Sequence, residues 1–150
     1  MNDLTEIRWH GRAGQGLVTA AKLLGETALG TGQYFQAFPD YGPERMGAPI
    51  RAYTRLSLSP INIHSQVHHP NVVLVLDPTL LGVVDVTEGL AEGGAVLVNT
   101  DKTAPEMRRV LGLEERDVRV YTVDASAIAM DTLGREITNT PMLGAFARAT

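Results

Sequence analysis

Two short, almost wholly apolar runs constrain the fold of this chain more than any other feature of its sequence. They are NVVLVLD (71–77) and GAVLVNT (94–100). Continuous apolar runs of this length are typical of parallel strands that are covered on both faces. The segment between them begins with Pro78 and closes on the glycine pair at 93 and 94, which predicts a helical crossover and hence a βαβ unit.

A second βαβ unit follows along the chain. It runs through a helical APEMRRVLG (104–112) to a predicted strand VRVYTVD (118–124), and a helical ASAIAMDTLG (125–134) comes next. Further helices are predicted at 17–29, from the spacing of its apolar residues, and from Pro141 onward. Together these elements predict an α/β fold in one domain, residues 1–150, with a Rossmann-like, doubly wound, mostly parallel sheet.

The segment PIRAYTRLSLSPINIH (49–64) follows a different period. Apolar and polar residues alternate on both sides of SLSP, which has the composition of a turn. This pattern predicts an antiparallel hairpin inserted into the sheet, with one wet face. That face would carry Arg51, Tyr53 and Arg55. Either they are solvated, or they form a protein interface, where arginine and tyrosine are enriched.

The loop GRAGQG (11–16) lies between a predicted strand and a predicted helix. It is not the dinucleotide fingerprint, because Ala13 stands where a glycine is required and no acidic residue follows in QYFQAF (33–38). It is not a P-loop either, since Leu17 and Val18 replace the lysine and the hydroxyl residue. Two interpretations remain: a tight turn, or an anion site formed by Arg12 and the backbone amides of Gly14, Gln15 and Gly16.

Composition excludes several classes of function. The sequence has no cysteine, so this chain ligates neither an iron–sulfur cluster nor a thiolate zinc. Its net charge of -4 and its scattered lysines and arginines argue against nucleic acid as a partner. It has no apolar run of membrane-spanning length and no signal peptide, so we expect no membrane partner and a cytoplasmic location. No metal site is expected at His64, His68 and His69.

The segment FPDYGPERMGAP (38–49) is rich in proline and glycine. It is either a rigid connection or a functional loop that presents Tyr41, Glu44 and Arg45. Three polar residues, Asp77, Asn99 and Asp124, end predicted strands, where a doubly wound fold binds ligands. The alternative role for the two aspartates is to cap the helices that follow.

The blocks GRAGQGLVTAAKLL, FPDYGPERMGAPIRAYTRLSLSPI, VVLVLDPTLL, GLAEGGAVLVNT and NTPMLGAFARAT occur in order along the chain. With them the chain resembles the gamma subunit, or gamma domain, of pyruvate:ferredoxin and related 2-oxoacid:acceptor oxidoreductases. It departs from the family at Met46, where many relatives carry a basic residue, and it lacks the C-terminal helical segment with which the family domain usually finishes. A truncated chain is therefore expected.

The resemblance implies a non-catalytic subunit beside the active site of a 2-oxoacid oxidoreductase, with pyruvate as the expected substrate and ferredoxin as acceptor. Thiamine diphosphate, [4Fe-4S] clusters and coenzyme A would belong to the complex of this chain with alpha, beta and delta subunits. The residues expected to contact coenzyme A, another anion or a partner are Arg12, Gly14, Gln15, Gly16, Tyr41, Glu44 and Arg45. The alternative is a free-standing nucleotide-binding Rossmann-like module.

Overall fold

A mixed six-stranded sheet forms the centre of the computed structural model, which describes residues 3–40 and 47–149. The strands are β1 (Thr5–Arg12), β2 (Tyr34–Asp40), β3 (Pro49–Ser57), β4 (Val72–Val75), β5 (Ala95–Asn99) and β6 (Arg119–Val123). Their order is β2-β3-β1-β4-β5-β6. Strands β1, β4, β5 and β6 are parallel, and β3 runs antiparallel to both of its neighbours.

Helices cover both faces of the parallel part, which confirms the predicted α/β fold. They are α1 (Leu17–Leu29), α2 (Ala104–Val110), α3 (Ala125–Leu133) and α4 (Asn139–Ala149). Because side chains alternate along a strand, Leu74 and Val75 point into different cores. Leu74 packs in a cluster with α1 and α4, whereas Val75 packs in a second cluster with Met107 of α2.

The crossover between β4 and β5 differs from the predicted helix. It contains a short 3-10 helix (Pro78–Gly82), and turns and irregular chain lead from there to β5. Its buried apolar residues are Leu80, Val86 and Leu90, which are spaced too widely for one stripe of an α-helix. The βαβ topology is right, but the connection is mostly irregular.

The antiparallel hairpin lies elsewhere than predicted. Strand β3 pairs with β2, from Tyr34 opposite Ser57 to Asp40 opposite Arg51, and residues 61–64 form no strand. The segment that pairs with β3 is therefore YFQAFPD, which forms β2. Its Pro39 is tolerated because β2 is an edge strand. The first three residues of the predicted loop at 38–49 accordingly belong to β2.

The predicted wet face of β3 is also wrong. Tyr53 and Arg55 are each only 1% exposed, because the irregular chain after β3 folds back over them. Arg55 donates to the carbonyl oxygens of Ser65 and Gln66 and forms an ion pair with Glu6 of β1 at 2.9 Å. Tyr53 and Arg55, with this many internal partners, belong to the interior, whereas the Arg51 side chain stays 42% exposed.

Candidate functional site

The glycine loop connects β1 to α1 at the carboxyl edge of the parallel strands. Gly14 and Gly16 have φ angles of 94° and 76°, a left-handed conformation that favours glycine. A side chain at Gly16 would also collide with Asn139 at the start of α4, since its Cβ would lie 2.7 Å from Asn139 Nδ2. Both glycines are therefore required by the turn itself, as the simpler of the two interpretations predicts.

Arg12 does not project freely from this loop. Its Nε lies 3.2 Å from Asp77 Oδ2 and 3.1 Å from the Thr79 hydroxyl, and its Nη1 donates to the Gly47 carbonyl oxygen at 3.0 Å. The guanidinium thus ties the glycine loop to the end of β4 and to the chain that enters β3. Its positive charge is paired with Asp77, and about a quarter of the side chain (26%) stays exposed.

Gln15 completes the same network. Its Oε1 accepts a hydrogen bond from the Arg12 amide at 2.8 Å, and its Nε2 donates to Asp77 Oδ2 at 2.8 Å. One side chain therefore fixes both the backbone of the loop and the carboxylate across from it. This explains why an amide is suitable at a position where the turn alone would accept most residues.

Asp77 is the centre of these contacts and caps the 3-10 helix. Its Oδ1 accepts from the Thr79 amide at 2.9 Å and from the Thr79 hydroxyl at 2.6 Å. Partial burial by itself raises the pKa of Asp77, but the Thr79 and Gln15 hydrogen bonds and the Arg12 charge outweigh it and lower the pKa. Asp77 is therefore a structural carboxylate at neutral pH.

The strand ends form a small crevice, as the fold predicts. Its volume is about 260 Å³, and Gln15, Asp77, Asn99 and Thr138 contribute to its lining. Asn99 is held by the Leu76 carbonyl oxygen at 2.9 Å and by Ser126. The Asp124 carboxylate instead accepts a hydrogen bond from the Ala127 amide and caps α3. The capping role considered for both aspartates is thus observed.

The N-terminus of α1 has no side-chain cap, since its N-cap residue is Gly16. The amides of the first helical turn have no partner inside the helix. Such amides receive anions in many folds. Of the other predicted site residues, Tyr41, Glu44 and Arg45 lie outside the described part of the chain.

A second polar region lies on the sheet face away from α1, and the sequence analysis did not identify it. Arg8 and His10 of β1 are each 3% exposed, and Arg8 Nε donates to His10 Nε2 at 2.9 Å. Burial lowers the pKa of His10 to about 3, with the charges of Arg8 and Arg51 acting in the same direction. The period-2 alternation of Arg8 and His10 with Ile7 and Trp9 was the available signal.

Two clefts open on this polar face. One of about 530 Å³ is lined by His10, Asp40, Arg51 and Glu88 among others. Its neighbour, of about 580 Å³, shares Arg51 and Glu88 and adds Arg8. Asp40 is fully engaged there, by Arg51 at 2.7 Å, by the Tyr53 hydroxyl at 3.0 Å and by Gln66 at 2.8 Å. Asp40 is the first acidic residue after QYFQAF, and it is therefore not free to take the role of the acidic residue that holds the ribose in a dinucleotide site.

Comparison with known proteins identifies the family. The family model of pyruvate ferredoxin/flavodoxin oxidoreductase matches residues 6–150. The chain belongs to this family. The pyruvate/ketoisovalerate oxidoreductases common subunit gamma of Thermococcus litoralis is 53% identical over 147 residues, which are 98% of this chain and 78% of that protein. The pyruvate synthase subunit PorC of Methanothermobacter marburgensis is 48% identical over the same shares of the two chains.

A solved structure agrees with this membership. The crystal structure of pyruvate oxidoreductase subunit PORC from Thermotoga maritima superposes with a TM-score of 0.85 at 46% identity, covering 99% of this chain and 77% of that one. The predicted resemblance to gamma subunits of pyruvate ferredoxin oxidoreductases is confirmed. Within the described residues of this family member, none of the helices is both long and apolar enough to cross a membrane.

Proposed function

We propose that this chain is the gamma subunit of a multi-subunit 2-oxoacid:ferredoxin oxidoreductase, which oxidatively decarboxylates pyruvate to an acyl-coenzyme A. The observation that carries the proposal is 53% identity to a common gamma subunit over 98% of the chain. The alpha, beta and delta subunits are its partners, and ferredoxin receives the electrons through the complex, in the cytoplasm. The chain itself is a non-catalytic scaffold beside the active site.

The chemistry of the side chains supports a non-catalytic role. No cysteine is present to ligate a [4Fe-4S] cluster. At the strand ends, Asp77 caps a helix and Asn99 is held by the backbone, so neither is poised to transfer protons. Thiamine diphosphate and the clusters accordingly belong to the partner subunits, where the electrons are generated and removed.

Reconstitution tests this assignment. Tagged chain is co-expressed with candidate alpha, beta and delta subunits from the same organism, and the purified complex is assayed for thiamine diphosphate, iron and pyruvate-dependent reduction of ferredoxin. We expect a stoichiometric complex that reduces ferredoxin, and no turnover by this chain alone. Pyruvate oxidation by the isolated chain, or failure to recover any subunit that contains thiamine diphosphate or clusters, would refute it.

Within this complex, we propose that the glycine loop contacts a phosphate of coenzyme A. The uncapped amides at the start of α1 and the adjacent Arg12 form a region suited to an anion. The carboxylate of Asp77 would repel phosphate if it were unpaired. It is held by Arg12, Gln15 and Thr79, which removes that objection. Coenzyme A would serve the complex as the acceptor of the acyl group.

Kinetics of the assembled enzyme test this contact. Arg12→Gln removes the local cation, and we expect the KM for coenzyme A to rise about 10-fold, since a charge-assisted hydrogen bond contributes on the order of 1.5–3 kcal/mol, while the KM for pyruvate stays unchanged. Arg109→Gln, at an exposed position on α2, is the charge-matched control. Equal effects of the two variants on coenzyme A would limit the loop to a structural role without touching the subunit assignment.

A further inference from the structure

Arg8 and Arg55 are neighbouring buried arginines on one face of the sheet, but their partners differ. Arg55 is 1% exposed, pairs with Glu6 at 2.9 Å, and uses every guanidinium nitrogen in hydrogen bonds. Arg8 is 3% exposed and forms no ion pair with a carboxylate among the described residues. Within the described residues, arginine is thus paired with a carboxylate at one position and has no ion-pair partner at the other.

The unused donor of Arg8 can be identified. Its Nε donates to His10, and its Nη2 donates to the carbonyl oxygens of Val86 at 3.0 Å and Glu88 at 2.6 Å. Nη1 has no acceptor in the described part of the chain. Every buried side-chain nitrogen and oxygen there has a partner, so Nη1 must be accessible. Arg8 lines the 580 Å³ cleft, and we infer that its accessible Nη1 is the atom that faces it.

Within the described residues Arg8 has no ion-pair partner, although the charges of Asp85 and Glu88 are close enough to offset part of the effect of burial on its pKa. Arg51 stands in the same cleft, but its charge is already balanced by Asp40. Glu88 also lines the cleft, and only its backbone carbonyl oxygen contacts Arg8. Burial and the charge of Arg51 lower the pKa of Arg8 below its ordinary value. An uncompensated buried charge is costly, and an anion in the cleft would relieve that cost.

We propose that this cleft binds an oxyanion, the carboxylate or phosphate group of a ligand, with Arg8 Nη1 as the buried donor, while Arg51, paired with Asp40, lines the rim. The volume is within the range of small-molecule sites. α1 packs on the other face of the sheet, and neither Arg12 nor any residue of the glycine loop lines this cleft, so this site is separate from the proposed coenzyme A contact and does not depend on it.

Nuclear magnetic resonance of the full chain tests the proposal directly. Isotope-labelled protein is titrated at pH 7 with sodium phosphate, and separately with sodium acetate, while the guanidinium signals of Arg8 and Arg55 are followed. Sodium chloride at matched ionic strength is the reference. We expect a saturable shift of the Arg8 signals with at least one oxyanion and none of Arg55. A stronger response to phosphate or to acetate tells which kind of group the cleft prefers.

Two variants sharpen the result. Arg8→Lys keeps the charge but removes the planar set of donors, and we expect phosphate or acetate to bind about 10-fold more weakly. Arg55→Lys is the matched control and should leave binding unchanged. If Arg8→Lys does not fold, the titration of the unmodified chain still decides the matter. Arg8 signals that follow sodium chloride alone, or equal binding by both variants, would overturn the proposal.

Discussion

The buried imidazole of His10 should make this protein sensitive to mild acid. His10 is 3% exposed, and its Nε2 accepts a hydrogen bond from Arg8 Nε at 2.9 Å, so a proton can be added there only by breaking that bond. Burial, with the charges of Arg8 and Arg51, lowers the pKa of His10 from 6.5 to about 3. The unfolded chain takes up this proton near pH 6.5, whereas the folded chain does not.

The sign and size of the effect follow from linkage. Stability rises with pH wherever the unfolded state binds more protons, by up to about 1.4 kcal/mol per pH unit for one group. Between pH 7 and pH 5 the unfolded His10 becomes almost fully protonated and the folded one stays neutral. The free energy of unfolding should therefore fall by about 2 kcal/mol over this range from His10 alone.

Urea denaturation of the wild type and of His10→Gln at pH 7 and pH 5 measures this quantity. Glutamine is uncharged and keeps an acceptor, so its variant should lose about 2 kcal/mol less than the wild type between the two pH values. The pKa values of Asp77 and Glu92 are lowered, so their contributions are retained through this range. The reasoning is wrong if the two proteins lose the same free energy.

Three further substitutions test the packing around the sheet. Gly25→Ala in α1 would place its Cβ against the ring of Phe35, so it should destabilise the protein in thermal melts, because overpacking of about 1–3 kcal/mol exceeds a helix-propensity gain of about 1 kcal/mol. Gly144→Ala in α4 meets no atom within 4 Å and should stabilise the protein in the same measurement. Thr54→Val removes the hydroxyl that accepts from Trp9 Nε1 at 3.0 Å, which leaves a buried donor unpaired. We expect a loss of about 1–3 kcal/mol by urea denaturation, and no measurable loss would contradict the role given to this bond.

The sequence predicted the parallel part of the fold well, because β4 and β5 are buried on both faces and their composition has few alternatives. Prediction from the sequence pattern was wrong where polar residues lie in the interior. In β3, the alternation of apolar residues with Arg51, Tyr53 and Arg55 indicated a wet face, since a period reports which residues share a side and not what covers that side. The chain at 61–69, which supplies that cover, has no regular structure, and the alternation at 61–64 wrongly indicated a strand there.

The candidate site shows the same division. Gly14 and Gly16 were identified because a backbone requirement is visible in residue type, and the turn interpretation needed no further information. The use of Arg12 was not predictable in this way, because its partner Asp77 is 65 residues further along the chain and both residues had other plausible roles. The contacts of long polar side chains depend on the tertiary fold, and sequence patterns describe them poorly.

The charges on the sheet face away from α1 favour a surface to which another molecule supplies an acidic group. Glu6 forms an ion pair with the buried Arg55, and Asp40 forms one with the partly buried Arg51. Arg8 is the exception among these three, although Asp85 and Glu88 are close enough for their charges to affect it. The 85–88 turn contacts Arg8 through its carbonyl oxygens and not through a carboxylate. The Nη1 donor of Arg8 is therefore available to a group of another molecule.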